Sequence, residues 1–96
     1  MINLSEKYYS IIKDIFQRYL PDVEVRVYGS RINGKSKAYS DLDLVIVGKT
    51  KTESKLLIKL KEEFEESDIP FRIDIIDWHR TSKEFRQIIN KQYEVI

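Results

Sequence analysis

No cysteine occurs in the 96-residue sequence. Disulfides, cysteine-ligated zinc and thiol nucleophiles are thereby excluded, and the absence fits a reducing compartment. A single histidine, His79, rules out a histidine-rich metal centre. Neither sign of charge dominates: 17 Lys and Arg against 16 Asp and Glu leave a formal net charge of +1. Bulk electrostatics therefore name no partner, and direct nucleic-acid binding, which calls for a far more basic surface, is not expected. No apolar run approaches the roughly 20 residues that cross a bilayer. The N-terminus lacks a basic stretch followed by an apolar one, so neither a membrane span nor a signal peptide is expected. Internal repeats, linkers and low-complexity segments are missing as well.

What is present is 42% hydrophobic and 34% charged residues, with only three glycines and two prolines. This is the profile of a soluble globular chain. A chain of this length buries roughly 60–70% of its unfolded surface, enough for one modest core. Residues 1–96 are accordingly read as a single domain, expected in the cytoplasm.

Residues 5–19 carry Tyr8, Ile11, Ile12, Ile15, Phe16 and Tyr19 at three-and-four spacing, which predicts an amphipathic helix capped by Ser5 and stopped at Pro21. Val23, Val25 and Val27 alternate with Glu24, Arg26 and Tyr28, the pattern of a half-buried strand ended by Gly29. Residues 30–40 form a polar, basic connection with Arg31, Lys35 and Lys37, opened by a short helical turn. Asp41 to Val47 reads as a second strand, Thr52 to about Ser67 as a helix, and Phe71 to Asp77 as a third strand. Thr81 with Glu84 forms a capping box for a last helix through about Lys91, and Tyr93 to Ile96 can add a final strand. The economical solution is a small mixed sheet with helices packed on it, an α/β or α+β fold. The acidic run 62–68 reads as a solvated helix face.

Asp41 and Asp43 stand out. They lie two apart on an otherwise apolar strand, so both carboxylates point to one face. Like charges so placed destabilise each other unless a cation or proton intervenes, and hard oxygen donors on a rigid strand suit Mg²⁺ or Mn²⁺. An isolated Asp-x-Asp is more often a turn cap beside a solvated carboxylate. Asp74 shifts that balance. It sits mid-strand between isoleucines, where an unpaired buried carboxylate is costly. If its strand pairs with Asp41–Val47, three carboxylates converge, and such a set can hold two metals about 3.5–4 Å apart. Asp77, at the strand end and of opposite parity, is the weaker third ligand. Gly29-Ser30 ends a strand where the backbone can approach a ligand closely, and its amides and hydroxyl can hold phosphate oxygens.

The stretch Gly29-Ser30-Arg31-Ile32-Asn33-Gly34, followed by Ser40-Asp41-Leu42-Asp43-Leu44, resembles the signature of the DNA polymerase β-type nucleotidyltransferase superfamily. The length matches its minimal nucleotidyltransferase (MNT) members, and the likeness runs from the first helix to Ile96. Ile32-Asn33 departs from the commoner Ala-Arg. The resemblance implies the nucleotidyltransferase fold and two Mg²⁺ ions, or Mn²⁺, held by Asp41, Asp43 and Asp74. It also implies ATP or another nucleoside triphosphate gripped by Gly29 and Ser30, with Arg31 and Ser40 as further nucleotide contacts. Similar proteins pair with a helical HEPN-domain protein in toxin–antitoxin pairs and transfer AMP to a tyrosine of that partner, which acts as the toxin. Two other readings follow from the same residues: an antitoxin that inhibits by contact alone, and a small-molecule nucleotidyltransferase that borrows its substrate surface from a partner. Trp78 and six tyrosines are candidate anchors for a homodimer or hetero-oligomer.

Overall fold

The alternating valines and the three-and-four apolar spacing become, in the computed structural model, a sheet with helices on both faces. The structure describes residues 2–96. In chain order the elements are α1 (Glu6–Tyr19), β1 (Glu24–Tyr28), α2 (Ser30–Asn33), β2 (Leu42–Val47), α3 (Ser54–Glu66) and β3 (Ile73–Asp77). A 3-10 turn (Trp78–Arg80), α4 (Lys83–Lys91) and β4 (Glu94–Val95) complete it. Among the described residues the sheet has four strands in the order β3-β2-β1-β4. β1 pairs antiparallel with β2 and β4, whereas β2 and β3 run parallel.

Strand parity divides the sheet into two faces. Val25, Val27, Leu42, Leu44, Ile46 and Ile75 lie on one face and form a single buried core with Ile12, Ile15 and Phe16 of α1 and Leu60 and Phe64 of α3. Phe16 and Phe64 meet with ring centroids 5.7 Å apart. Each fully buried aliphatic or aromatic side chain contributes roughly 1.5–3 kcal/mol, so this face carries most of the fold. The opposite face is thinner and is covered in part by α4. There Val45 and Ile89 are both fully buried, Arg26 Nη1 donates to Asn90 Oδ1 at 3.0 Å, and Tyr28 meets Phe85 edge-on.

Several boundaries differ from the sequence expectation: β1 begins at Glu24 and β2 at Leu42, each one residue late. α3 begins at Ser54 rather than Thr52, because Thr52 is drawn away: its N–H donates to Asp77 Oδ2 at 2.5 Å. β3 begins at Ile73 rather than Phe71, whose ring lies 4.0 Å beneath the Arg31 guanidinium. Thr81 does not cap the last helix. Its hydroxyl donates to Trp78 O at 2.8 Å, closing the 3-10 turn, and Ser82 caps α4 by accepting from Phe85 N–H at 3.1 Å. Ser5 caps α1 as expected, accepting from Tyr8 N–H. No helix among the described residues is long and apolar enough to cross a membrane.

Candidate active site

The register of the three central strands lines up one row of polar side chains. Tyr28 is the Cα partner of Asp43, and Asp43 is the Cα partner of Asp74. Neighbouring strands lie about 4.8 Å apart, and residues in register share a face. Tyr28, Asp43 and Asp74 therefore stand side by side on the thinner face, at the end where β1 stops and β2 and β3 start. Asp41 lies just ahead of β2 rather than within it, and it is exposed.

Crowding shows in the acidity of these groups. The Asp43 carboxyl is held above the ordinary carboxylate value, first by burial, then by Asp74 and Asp41; Arg72 pulls in the other direction. The Tyr28 hydroxyl is likewise pushed upward, by burial and then by Asp43 and Asp74. Tyr28 and Asp43, on adjacent strands, thus both feel the charge of Asp74 on the third. Arg72, exposed and two residues ahead of Asp74, adds the nearby positive charge.

Gly29 closes the site from the β1 side. Its φ of +81° and ψ of −153° belong to a backbone region that only glycine enters readily. A Cβ at this position would stand 2.5 Å from Asp43 Oδ2, so the turn lies directly against the carboxylate. The Gly29 carbonyl accepts from the amides of Ile32 and Asn33 at 3.0 and 3.2 Å. The amides of Ser30 and Arg31 are first-turn donors without an acceptor inside α2.

Arg31 is a correction. Expected to meet phosphate, it is 5% exposed and turned inward. Its Nη2 donates to Ser40 O at 2.8 Å and to Ala38 O at 3.1 Å, Nη1 to Asn3 O at 2.9 Å, and Nε to Ser40 O at 3.2 Å. Burial depresses its basicity. The guanidinium thus braces the loop that delivers Asp41, on both sides of Tyr39, which projects 76% exposed. The Ser40 hydroxyl accepts from Lys37 N–H at 2.8 Å and fixes the same turn. Asp77 is also a structural group: it is 2% exposed on the core face and accepts from Thr52 N–H and His79 N–H. It cannot replace Asp74 on the opposite face.

Sequence reasoning passed over Tyr28. The signal was available only as parity with Arg26 and proximity to Gly29; its place beside Asp43 depends on strand register, which composition does not carry. The donor set of Asp41, Asp43 and Asp74 fits a divalent cation, because a cation relieves the mutual repulsion that raises Asp43. Among the described residues, however, no group of three or more His, Cys, Asp or Glu side chains is already arranged to hold a metal ion.

Comparison with known proteins places the chain in a family. The family model described as polymerase beta, nucleotidyltransferase, matches residues 10–96. A probable protein adenylyltransferase MntA of Haemophilus influenzae is 44% identical over 95 residues, spanning 99% of this chain and 83% of that protein. A toxin–antitoxin crystal structure with AMP-PNP superimposes with a TM-score of 0.75 at 17% identity, over 90% of this chain and 69% of that one. A tri-AMPylated Shewanella oneidensis HEPN toxin in complex with MNT antitoxin gives 0.63 at 18% identity, over 93% and 65% respectively. At these identities the solved structures show the fold alone.

Proposed function

This chain belongs to the polymerase beta nucleotidyltransferase family, and from that premise we propose that it is a protein adenylyltransferase. Its substrates are ATP and a tyrosine hydroxyl of a HEPN toxin, and through this transfer it acts as the toxin's antitoxin. The observation that carries the reading is the in-register row of Asp43 and Asp74 with Gly29 pressed against Asp43. The 44% identical relative supplies the acceptor class, through its name as a probable protein adenylyltransferase. Residues 1–96 act as one minimal nucleotidyltransferase domain, working in the cytoplasm.

The reaction is an in-line displacement at the α-phosphorus. The tyrosine oxygen forms a bond to phosphorus, the bond from phosphorus to the bridging oxygen breaks, and pyrophosphate leaves. Asp41, Asp43 and Asp74 hold divalent metal, with two Mg²⁺ ions the proposed complement over Mn²⁺. A metal bound there would neutralise charge on the triphosphate and lower the pKa of the attacking hydroxyl. Asp74 lies on the outer side of the row, where an acceptor approaches, and takes the hydroxyl proton. Gly29 and Ser30 offer amides and a hydroxyl to the terminal phosphates. Tyr28 walls Asp43 from the β1 side and limits the positions its carboxylate can take. Arg31 and Ser40 serve by holding the 37–40 turn, and with it Asp41, in place.

A purely contact-based antitoxin would have no use for crowded carboxylates, which cost stability without a cation. The test is mass spectrometry of the HEPN toxin after incubation with this chain, ATP and Mg²⁺. One or more added AMP groups on tyrosine are expected. An unmodified toxin that is nonetheless inhibited would overturn the enzymatic reading.

A further inference from the structure

The sheet ends at β3, with no described strand on its outer side. In a parallel pair, alternate residues direct both backbone groups toward the partner strand. Leu42 N–H donates to Arg72 O at 2.9 Å, and Leu42 is the Cα partner of Ile73. Asp74 therefore turns its backbone to β2, whereas Ile73 and Ile75 turn theirs outward. Alongside this edge runs a cleft of about 330 Å³, within the range of ligand sites. It is lined by Ile69, Phe71, Ile73 and Asp74 on the strand side and by Lys61 and Glu65 on the α3 lip.

We propose that this edge is the acceptor-docking site: an extended, tyrosine-bearing segment of the toxin pairs with β3 along the cleft and sets its hydroxyl beside Asp74. The proposal deepens the adenylyltransferase reading and rests on it. Strand addition to an exposed edge takes affinity from main-chain hydrogen bonds and specificity from alternate side chains. A residue opposite Asp74 would have its Cα about 4.5–5.5 Å away and its side chain on the same face. The row Tyr28–Asp43–Asp74 would thus gain the acceptor tyrosine as its next member. Side chains on either side of that tyrosine would point into the apolar part of the cleft. The cleft is lined by Asp74 and by neither Asp41 nor Asp43, as this arrangement requires.

Two exposed lip residues outside the catalytic machinery provide the test. Lys61→Trp and Glu65→Trp fill the cleft from α3 without touching the core. With the HEPN toxin as acceptor, each is expected to raise its KM at least tenfold, leaving kcat at saturating toxin and the KM for ATP unchanged. Hydrogen exchange on the complex with toxin should show the Ile73 and Ile75 amides at least tenfold more protected than in the free chain. Wild-type KM for toxin in both variants, or protection absent at Ile73 and Ile75 in the complex, would overturn the proposal. The two readings fail separately. If the unsubstituted chain transfers no AMP, the enzymatic reading falls, and the exchange pattern alone decides the docking site.

Discussion

The Asp43 carboxylate occupies the space that a side chain on residue 29 would need: a Cβ built on Gly29 falls 2.5 Å from Asp43 Oδ2 and 3.4 Å from its Cγ. The turn at the end of β1 and the acidic start of β2 are therefore fitted to each other, with no room for a side chain between them.

Gly29→Ala tests that fit. The substitution forces a Cβ into the carboxylate and places alanine at φ +81°, a strain of about 1–3 kcal/mol. Thermal unfolding should register this loss. AMP transfer should fall by at least a hundredfold, because Asp43 must move to relieve the clash.

Asp43→Asn separates stability from activity. A carboxyl raised in the folded state binds its proton more tightly there than in the unfolded chain. Its favourable contribution is complete below the unfolded value of 3.8 and is lost as pH rises through the folded pKa. At neutral pH without metal, the asparagine variant should therefore unfold at a higher temperature than the wild type, and the difference should shrink on acidification towards pH 4. Mg²⁺ with ATP should stabilise the wild type, by about 2.7 kcal/mol at a hundredfold excess over Kd, and leave the variant nearly unmoved. Calorimetric scans across pH, with and without Mg²⁺ and ATP, decide the point.

Asp74 and Asp77 should part company. Asp74→Asn is expected to abolish transfer while the fold is retained. Asp77→Ala strips acceptors from Thr52 and His79 amides in a buried position, at about 1.5–3 kcal/mol for each hydrogen bond to a charged group. Urea unfolding should show that loss, with kcat in the remaining folded protein close to wild type.

Arg31→Lys bears on the reassignment of that residue. A lysine cannot satisfy the carbonyls of Asn3, Ala38 and Ser40 together, and each buried acceptor left open costs about 1–3 kcal/mol. The variant should lose stability and need more Mg²⁺ for half-maximal activity, since the loop carrying Asp41 slackens. A phosphate contact would instead appear as a raised KM for ATP at unchanged stability.

The elements were legible where periodicity is strong. The apolar stripe of α1 with its Ser5 cap, the Val25–Val27 alternation and the leucine face of α3 all follow from local pattern. The mixed sheet followed from the order of elements. The row joining Tyr28, Asp43 and Asp74 was not legible, because register is a property of pairing and Tyr28 carries no local mark of it. Arg31 misled for a related reason: a cation in a basic loop looks solvent-facing until Phe71, forty residues on, provides a ring to lie upon. Thr81 and Ser82 are adjacent hydroxyls, and only the 3-10 turn at Trp78 decides which of them caps α4.

The most direct measurement is transfer of label from α-³²P ATP to the HEPN toxin with Mg²⁺, comparing wild type with Asp43→Asn, with toxin activity assayed in the same tubes. The account predicts label on the toxin and loss of its activity with wild type, and neither with the variant. Inhibition by Asp43→Asn equal to that by the wild type, with no label on the toxin in either case, would contradict it.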